Sequence, residues 1–137
     1  MKPIFLALCF LMATATLQAQ SVPYNVVFDL TSRDTADQQA VIRWLSLITK
    51  ERSDAQLEVV LYGQSLDMVR KDRSTVAPAL AQLLQNKNVA VKVCAIAMKH
   101  HNIDASQLLP GVGIVPDGIY EIISRQKDGW GYIKAAR

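Results

Sequence analysis

The stretch VAVKVCAIAMKHH, residues 89–101, places a short strand pattern directly before a helix pattern. Residues 89–94 are valine-rich and almost entirely apolar, which is typical of a strand inside a sheet. We expect residues 95–101 to form a short helix that begins where the strand ends. A direct change from strand to helix is typical of an α/β domain, and it places Cys94 at the junction.

The same alternation continues in both directions along the chain. The other strand patterns are residues 24–30, 57–62, 112–115 and 130–133. Helix patterns lie between them, over residues 35–48, about 74–86 and 116–128. Strands separated by helices pair in parallel through right-handed crossovers. The sequence therefore predicts one α/β domain, residues 20–137, with about five mostly parallel strands and helices on both faces.

Two local patterns give more detailed expectations. Thr35 and Gln38 fit a capping box, in which Thr35 would be the N-cap of the first helix. In the last helix, which begins at Pro116-Asp117-Gly118, we expect Ile119, Ile122 and Ile123 to point inward.

The first residues follow the pattern of a secretory signal peptide. Lys2 precedes an uncharged apolar run, and small residues then offer cleavage sites at Ala19 or Ala15. The run is shorter than the roughly 20 residues that span a bilayer. A buried strand or an uncleaved anchor helix are the alternatives. We expect residues 1–19 to be removed and the mature protein to be periplasmic or secreted.

Cleavage would change both the charge and the cysteine count. Removing Lys2 leaves 15 − 1 = 14 Lys and Arg against 12 Asp and Glu, a net charge of +2. This weak charge gives no support for binding to nucleic acid or, after cleavage, to a membrane. Cys9 would also be lost, so the mature chain would keep a single cysteine, Cys94, and no internal disulfide.

Cys94 is the residue best placed for chemistry. Ligands and reactive groups of parallel sheets gather at the carboxyl ends of the strands, here residues 31–34, 63–65 and 94–97. A helix start after Cys94 would favour a thiolate. Lys92 should lie on the same face, and Lys99 and His100 follow within about two helical turns. The alternative is that Cys94 is a buried structural residue, since free cysteine is among the most buried residue types.

A metal site finds little support in the sequence. His100 and His101 are adjacent, so on a helix they point about 100° apart and do not readily bind one ion. No other histidine is present to complete a zinc site.

The segment from Val89 to the C-terminus resembles the DsrE/DsrF-like family, whose members include subunits of bacterial sulfur-relay complexes. The matching features are the strand ending in Cys94, Met98-Lys99, Ile103-Asp104, residues 108–112, Val115-Pro116-x-Gly118 and Gly129-Trp130-x-Tyr132-Ile133-Lys134. The earlier stretch LEVVLYGQSLDMVRKD, residues 57–72, is also similar. The sequence differs at Gln64-Ser65, where many relatives have Pro-Gly.

The resemblance implies a flavodoxin-like three-layer α/β/α sandwich, a homotrimer or homohexamer, and no bound cofactor. Cys94 matches the cysteine that accepts sulfur as a persulfide in relay members. We therefore expect a sulfurtransferase-like carrier of sulfane sulfur on Cys94, with Lys92 and Lys99 stabilising the anion and His100 moving a proton. A sulfur donor and an acceptor protein would be its partners. The alternative is a non-catalytic oligomeric binding or assembly module.

Overall fold

The computed structural model describes residues 22–135, so the predicted signal peptide lies outside the described residues. The strands are β1 (Asn25–Leu30), β2 (Gln56–Leu61), β3 (Val89–Cys94), β4 (Gly113–Val115) and β5 (Gly131–Lys134). The α-helices are α1 (Thr35–Glu51), α2 (Ala77–Leu83), α3 (Ala95–His100) and α4 (Gly118–Lys127). Short 3-10 helices lie at Ser65–Val69 and Ala105–Gln107.

The strands form one parallel sheet in the order β4-β3-β2-β1-β5. The predicted α/β architecture is confirmed, and β5 is an edge strand as expected. The chain crosses the sheet from β1 to β4 and then returns to pair β5 with β1. Right-handed crossovers place α1, α2 and α3 on one face, and the return connection places α4 on the other. The molecule thus has the three layers of flavodoxin with a strand order of its own.

The larger core lies between the sheet and helices α1 to α3. Side chains alternate between the two faces of a strand, so every second residue of β1, β2 and β3 points to this side. Phe28, Val59 and Val91 are in register across the three strands and are almost completely buried. Val41 and Leu45 of α1 pack against this layer. Burial of each such side chain stabilises the fold by about 1.5–3 kcal/mol.

The opposite face is smaller and more polar. Val27 and Val60 of the sheet pack there with Ile122 of α4 as a small apolar cluster. The same face carries Glu58 and Lys92, which are neighbours of these valines in the strand register. Helix α4 therefore covers a sheet surface that mixes apolar and charged side chains.

The predicted capping box of α1 is wrong. Asp34 is the N-cap, with extended backbone angles, and its Oδ1 accepts a hydrogen bond from the N–H of Ala36 at 2.8 Å. The predicted partner Gln38 is buried instead. A carboxylate is a stronger acceptor than the Thr35 hydroxyl and also interacts favourably with the positive end of the helix, so Asp34 takes the position.

The orientation of α4 also differs from the expectation. Ile122 is buried as predicted, but Ile119 is 56% exposed and Ile123 is 43% exposed. The prediction for these two residues is wrong because, within residues 22–135, α4 is the one helix on its face of the sheet. A single helix on a flat sheet buries only a narrow stripe, and part of that stripe is occupied by charged residues.

Candidate functional site

Cys94 is the last residue of β3 and the residue immediately before α3. Its backbone is extended, at φ −71° and ψ 121°, and it is the N-cap of that helix. Among residues 22–135 it is the sole cysteine, and it has no disulfide partner there. The predicted position at the strand–helix junction is therefore observed. The side chain is only 6% exposed, which agrees with the alternative interpretation, a buried structural cysteine.

The start of α4 covers Cys94. A Cβ atom added at Gly118 would lie 3.0 Å from the Cβ of Cys94 and 3.2 Å from Cγ1 of Val60. Only a glycine lets the backbone of the first turn of α4 approach this closely. Asp117 caps the same turn by accepting hydrogen bonds from the N–H groups of Ile119 and Tyr120. The position of α4 therefore controls how far the Cys94 side chain is exposed.

Lys92 lies on the same face of β3 as Cys94, as predicted from the strand alternation. Its ammonium, however, is bound to carboxylates: Nζ is 2.8 Å from Oε1 of Glu121 and 3.2 Å from Oε2 of Glu58. Arg125 joins the same group, 2.9 Å from Glu58 and 3.1 Å from Glu121. We call Glu58, Lys92, Glu121 and Arg125 the α4 ion cluster. It links two strands to the helix that covers Cys94.

The two acids of the α4 ion cluster have opposite pKa shifts. Burial raises the pKa of Glu58, and the cations Arg125 and Lys92 only partly offset that effect. Burial also acts to raise the pKa of Glu121, but hydrogen bonds from Lys92 and Glu58 outweigh it, so the pKa is lowered. Glu58 is 1% exposed, and its Oε1 has no hydrogen-bond partner within residues 22–135. As the pH falls, Glu58 is therefore the first of the two acids to take up a proton.

Lys99 and His100 are both exposed on α3. In the described part of the chain, no hydrogen bond or ion pair links either of them to Cys94. His100 packs edge-on against the ring of His101 at a centroid distance of 5.0 Å. The structure therefore brings Lys92 to the face of Cys94 and leaves Lys99 and His100 on the surface of the helix.

His101 lines a cleft, a position that the sequence did not predict for this side chain. Its Nε2 is 2.6 Å from the carbonyl oxygen of Gly63, and since a carbonyl only accepts, Nε2 donates. The cleft has a volume of 330 Å³ and lies at the carboxyl ends of β1 and β2. Its lining residues are Arg33, Gly63, Gln64, Leu66, Asp67, Arg70, His101 and Ile103. Two of the strand ends that the topology rule selected, residues 31–34 and 63–65, contribute to it.

A second polar group surrounds the buried carboxylate of Asp29. Tyr132 donates a hydrogen bond to its Oδ2 at 2.7 Å, and Lys134 binds its Oδ1 at 3.0 Å. Desolvation, followed by the charge of Asp29, raises the pKa of Tyr62 to about 12. The hydrogen bond to Asp29 is the main reason why the pKa of Tyr132 is also raised to about 12. This group could not be predicted from the sequence, because its members are distant along the chain.

No group of three or more His, Cys, Asp and Glu side chains within residues 22–135 is arranged to hold a metal ion. Of the helices in the same range, none combines the length and the apolar character that crossing a bilayer requires.

The comparison with known proteins decides the family. The model of the DsrE/DsrF-like family matches residues 25–135, which is most of the sequence. The chain belongs to the DsrE/DsrF-like family. The resemblance noted from the residues around Cys94 is thus confirmed. No curated protein matches the sequence significantly.

Solved structures of similar fold agree with this assignment. MTH1491 of Methanobacterium thermoautotrophicum, a protein of unknown function, is 27% identical, with a TM-score of 0.76 over 81% of this chain and 98% of its own. The ychN protein of E. coli is 16% identical, with a TM-score of 0.67 over 82% and 99%. BT1422 of Bacteroides thetaiotaomicron is 18% identical, with a TM-score of 0.65 over 81% and 94%. The last two likenesses establish the fold alone.

Proposed function

We propose that this DsrE/DsrF-like protein carries sulfane sulfur as a persulfide on Cys94. The position of Cys94 carries the proposal: the thiol ends β3 at the carboxyl edge of the sheet and directly precedes α3. The first N–H groups of a helix lack intrahelical partners and favour a nearby anion, which a thiolate or persulfide is. In the family, a cysteine at the matching position accepts sulfur in relay members.

The transfer needs no metal and no net oxidation. The Cys94 thiolate attacks the outer sulfur of a donor persulfide, so a new S–S bond forms and the donor S–S bond breaks. The donor leaves as a thiolate and takes up a proton. An acceptor thiolate then attacks the outer sulfur on Cys94, and Cys94 leaves as a thiolate. The protein acts as a sulfurtransferase-like carrier and returns to its starting state.

The proposal includes export and self-association. The pattern of residues 1–19 supports a periplasmic or secreted protein, so its sulfur donor and acceptor would be exported as well. The exposed apolar side chains of α4, Ile119, Tyr120 and Ile123, support self-association, and the family resemblance implies a homotrimer or a homohexamer.

Mass spectrometry of the intact mature protein tests the carrier function. Incubation with inorganic polysulfide should add the mass of one sulfur atom to the wild type. The Cys94→Ser variant should gain nothing, because it differs from the wild type only in the proposed acceptor atom. An equal gain in both proteins, or none in either, would rule the function out.

A second function, a non-catalytic oligomeric module, is favoured by one observation: Cys94 is buried under α4 and Lys92 is bound by two carboxylates. This function predicts that iodoacetamide modifies Cys94 in the native protein only at the rate of global unfolding. Modification that is much faster than unfolding, and unchanged by concentrations of urea too low to unfold the protein, would contradict the module and support the carrier.

A further inference from the structure

The cleft between the β1 and β2 ends has the character of a built binding site, separate from Cys94, which is not part of its lining. Its volume of 330 Å³ is at the lower end of the range of about 300–1,000 Å³ that small-molecule sites occupy. Three separate parts of the chain line it: the segment after β1, the segment from β2 through the first 3-10 helix, and the segment after α3. The carboxyl edge of a parallel sheet is also where such sites are commonly found.

The rim of the cleft is held in a fixed shape. Gly63 has φ +62°, a conformation that suits glycine, and a Cβ at this position would lie 3.4 Å from the Cβ of Thr31. The N–H of Gln64 donates to the carbonyl of Thr31 at 3.0 Å. The hydroxyl of Ser65 donates to the carbonyl of Leu30 at 2.7 Å. These contacts join the two strand ends, so little ordering is needed when a ligand binds.

Arg70 and His101 form rigid walls. The terminal nitrogens of Arg70 pair with Asp67 at 3.2 Å and with Asp72 at 3.0 Å, which fixes the guanidinium and balances its charge. The imidazole of His101 is oriented by its hydrogen bond to Gly63. Because Nε2 carries that hydrogen, Nδ1 is the ring nitrogen left for a further interaction.

Arg33 is the cation of the cleft whose charge is not balanced. Of the two guanidinium groups in the lining, that of Arg70 is already paired with the carboxylates of Asp67 and Asp72. Arg33 forms no salt bridge within residues 22–135, and its guanidinium donates instead to the neutral side-chain oxygen of Gln64. Arginine binds a carboxylate or sulfonate through paired hydrogen bonds, which a neutral amide oxygen cannot match. The remaining lining, Leu66 and Ile103, is apolar.

We propose that this cleft binds a small organic monoanion, whose carboxylate or sulfonate oxygens pair with Arg33 while its apolar part lies against Leu66 and Ile103. The guanidinium of Arg33, which has no carboxylate partner within residues 22–135, sets the charge of the ligand, and the volume limits its size. The site does not depend on sulfur transfer at Cys94, because none of the groups that form it belongs to the surroundings of that thiol.

Three probes with the same tail and different head groups test the proposal: pentanoate, pentane-1-sulfonate and pentanamide. Each is titrated into the ¹⁵N-labelled mature protein, and the amide signals of Gly63 and Gln64 are followed by NMR. At least one anion should shift these signals and bind about tenfold or more tightly than neutral pentanamide, since a hydrogen bond to a charged group is lost in the amide. The anion that binds more tightly identifies the head group.

Arg33→Gln should weaken binding of that anion about tenfold or more, and Arg43→Gln is the matched control. Arg43 is also an exposed arginine, but it lies on α1 outside the cleft. The proposal would be overturned if pentanamide bound as tightly as the anions, or if Arg33→Gln and Arg43→Gln lost the same affinity for the anion. It would also be overturned if no probe shifted the amide signals of Gly63 and Gln64.

Discussion

The contact between Cys94 and Gly118 determines whether the thiol is covered. Gly118 begins α4, and the sheet side of this residue has no space for a side chain. The sequence predicted the position of Cys94 at the end of β3, because the strand pattern and the helix pattern meet there. It could not predict the cover, since Gly118 is far along the chain and reaches Cys94 only through the crossover from β4 to β5.

Gly118→Ala should destabilise the protein by about 1–3 kcal/mol, because the new methyl group would lie 3.0 Å from the Cβ of Cys94. Urea unfolding followed by circular dichroism measures the change. Gly113→Ala is the control, since a Cβ there meets its neighbours at ordinary distances of 3.7 and 3.8 Å. Equal stability of Gly118→Ala and the wild type would show that α4 does not press on Cys94.

The tyrosines near Asp29 predict how stability changes at high pH. The pKa of Tyr62 and of Tyr132 is raised from 10.0 to about 12 in the fold. A phenol whose pKa is higher in the folded state stabilises the fold fully below the unfolded pKa, and this contribution is lost as the pH rises from about 10 to about 12. The unfolding free energy should therefore fall across this window.

Tyr132→Phe should make that fall shallower, because one of the two titrating phenols is removed. It should also cost about 1 kcal/mol near neutral pH through loss of the hydrogen bond to Asp29. Urea unfolding at several pH values from about 7 to about 12 measures both effects. The same steepness in the wild type and in the variant would mean that Tyr132 does not titrate in this range.

Helix α4 is the element whose docking the sequence described least well. The alternation of strands and helices follows from hydrophobic periodicity, so each predicted strand and helix is present with its ends shifted by a few residues. The inward face of α4 was predicted from isoleucine spacing alone. In the structure, Glu121 and Arg125 compete for the same stripe because they bind Lys92 and buried Glu58. Such a pairing across three elements leaves no trace in the periodicity of any one of them.

Glu121→Gln should loosen α4 and speed the modification of Cys94. The variant loses the charge that holds Lys92 at 2.8 Å and Arg125 at 3.1 Å, so we expect docking of the helix to weaken by about 1 kcal/mol. Iodoacetamide modification in the native state should then be roughly fivefold faster. Glu51→Gln, at an exposed position at the end of α1, should leave the rate unchanged. An unchanged rate in Glu121→Gln would show that the α4 ion cluster does not control access of the reagent to Cys94.

At the scale of the whole molecule, the two faces of the sheet are covered unequally within residues 22–135: three helices bury the first face, whereas α4 is the one helix on the second. The family and the layered fold could be predicted from the sequence, because short matching motifs occur around Cys94 and along most of the chain. The place of the cleft was predicted in part, because residues 31–34 and 63–65 follow parallel strands, but its third wall comes from the segment after α3, which only the folded sheet brings to them.

Self-association should depend on the exposed side of α4. Tyr120→Glu places a charge on the apolar surface formed with Ile119 and Ile123, so the proposed trimer or hexamer should dissociate to monomers. Light scattering coupled to size-exclusion chromatography measures the mass in solution. Ile96→Glu, at an exposed apolar position on α3 on the other face, is the control. A wild-type protein that is already monomeric would contradict the proposed oligomer.

The carrier function is tested most directly by following one sulfur atom on and off Cys94. The native protein is loaded from polysulfide, freed of excess reagent, digested for peptide mass analysis, and compared with a sample first exposed to an acceptor thiol. We expect the peptide containing Cys94 to carry one additional sulfur after loading, and the acceptor thiol to remove it. A Cys94 peptide that never gains sulfur in the native protein, but does so after unfolding, would rule out the carrier function.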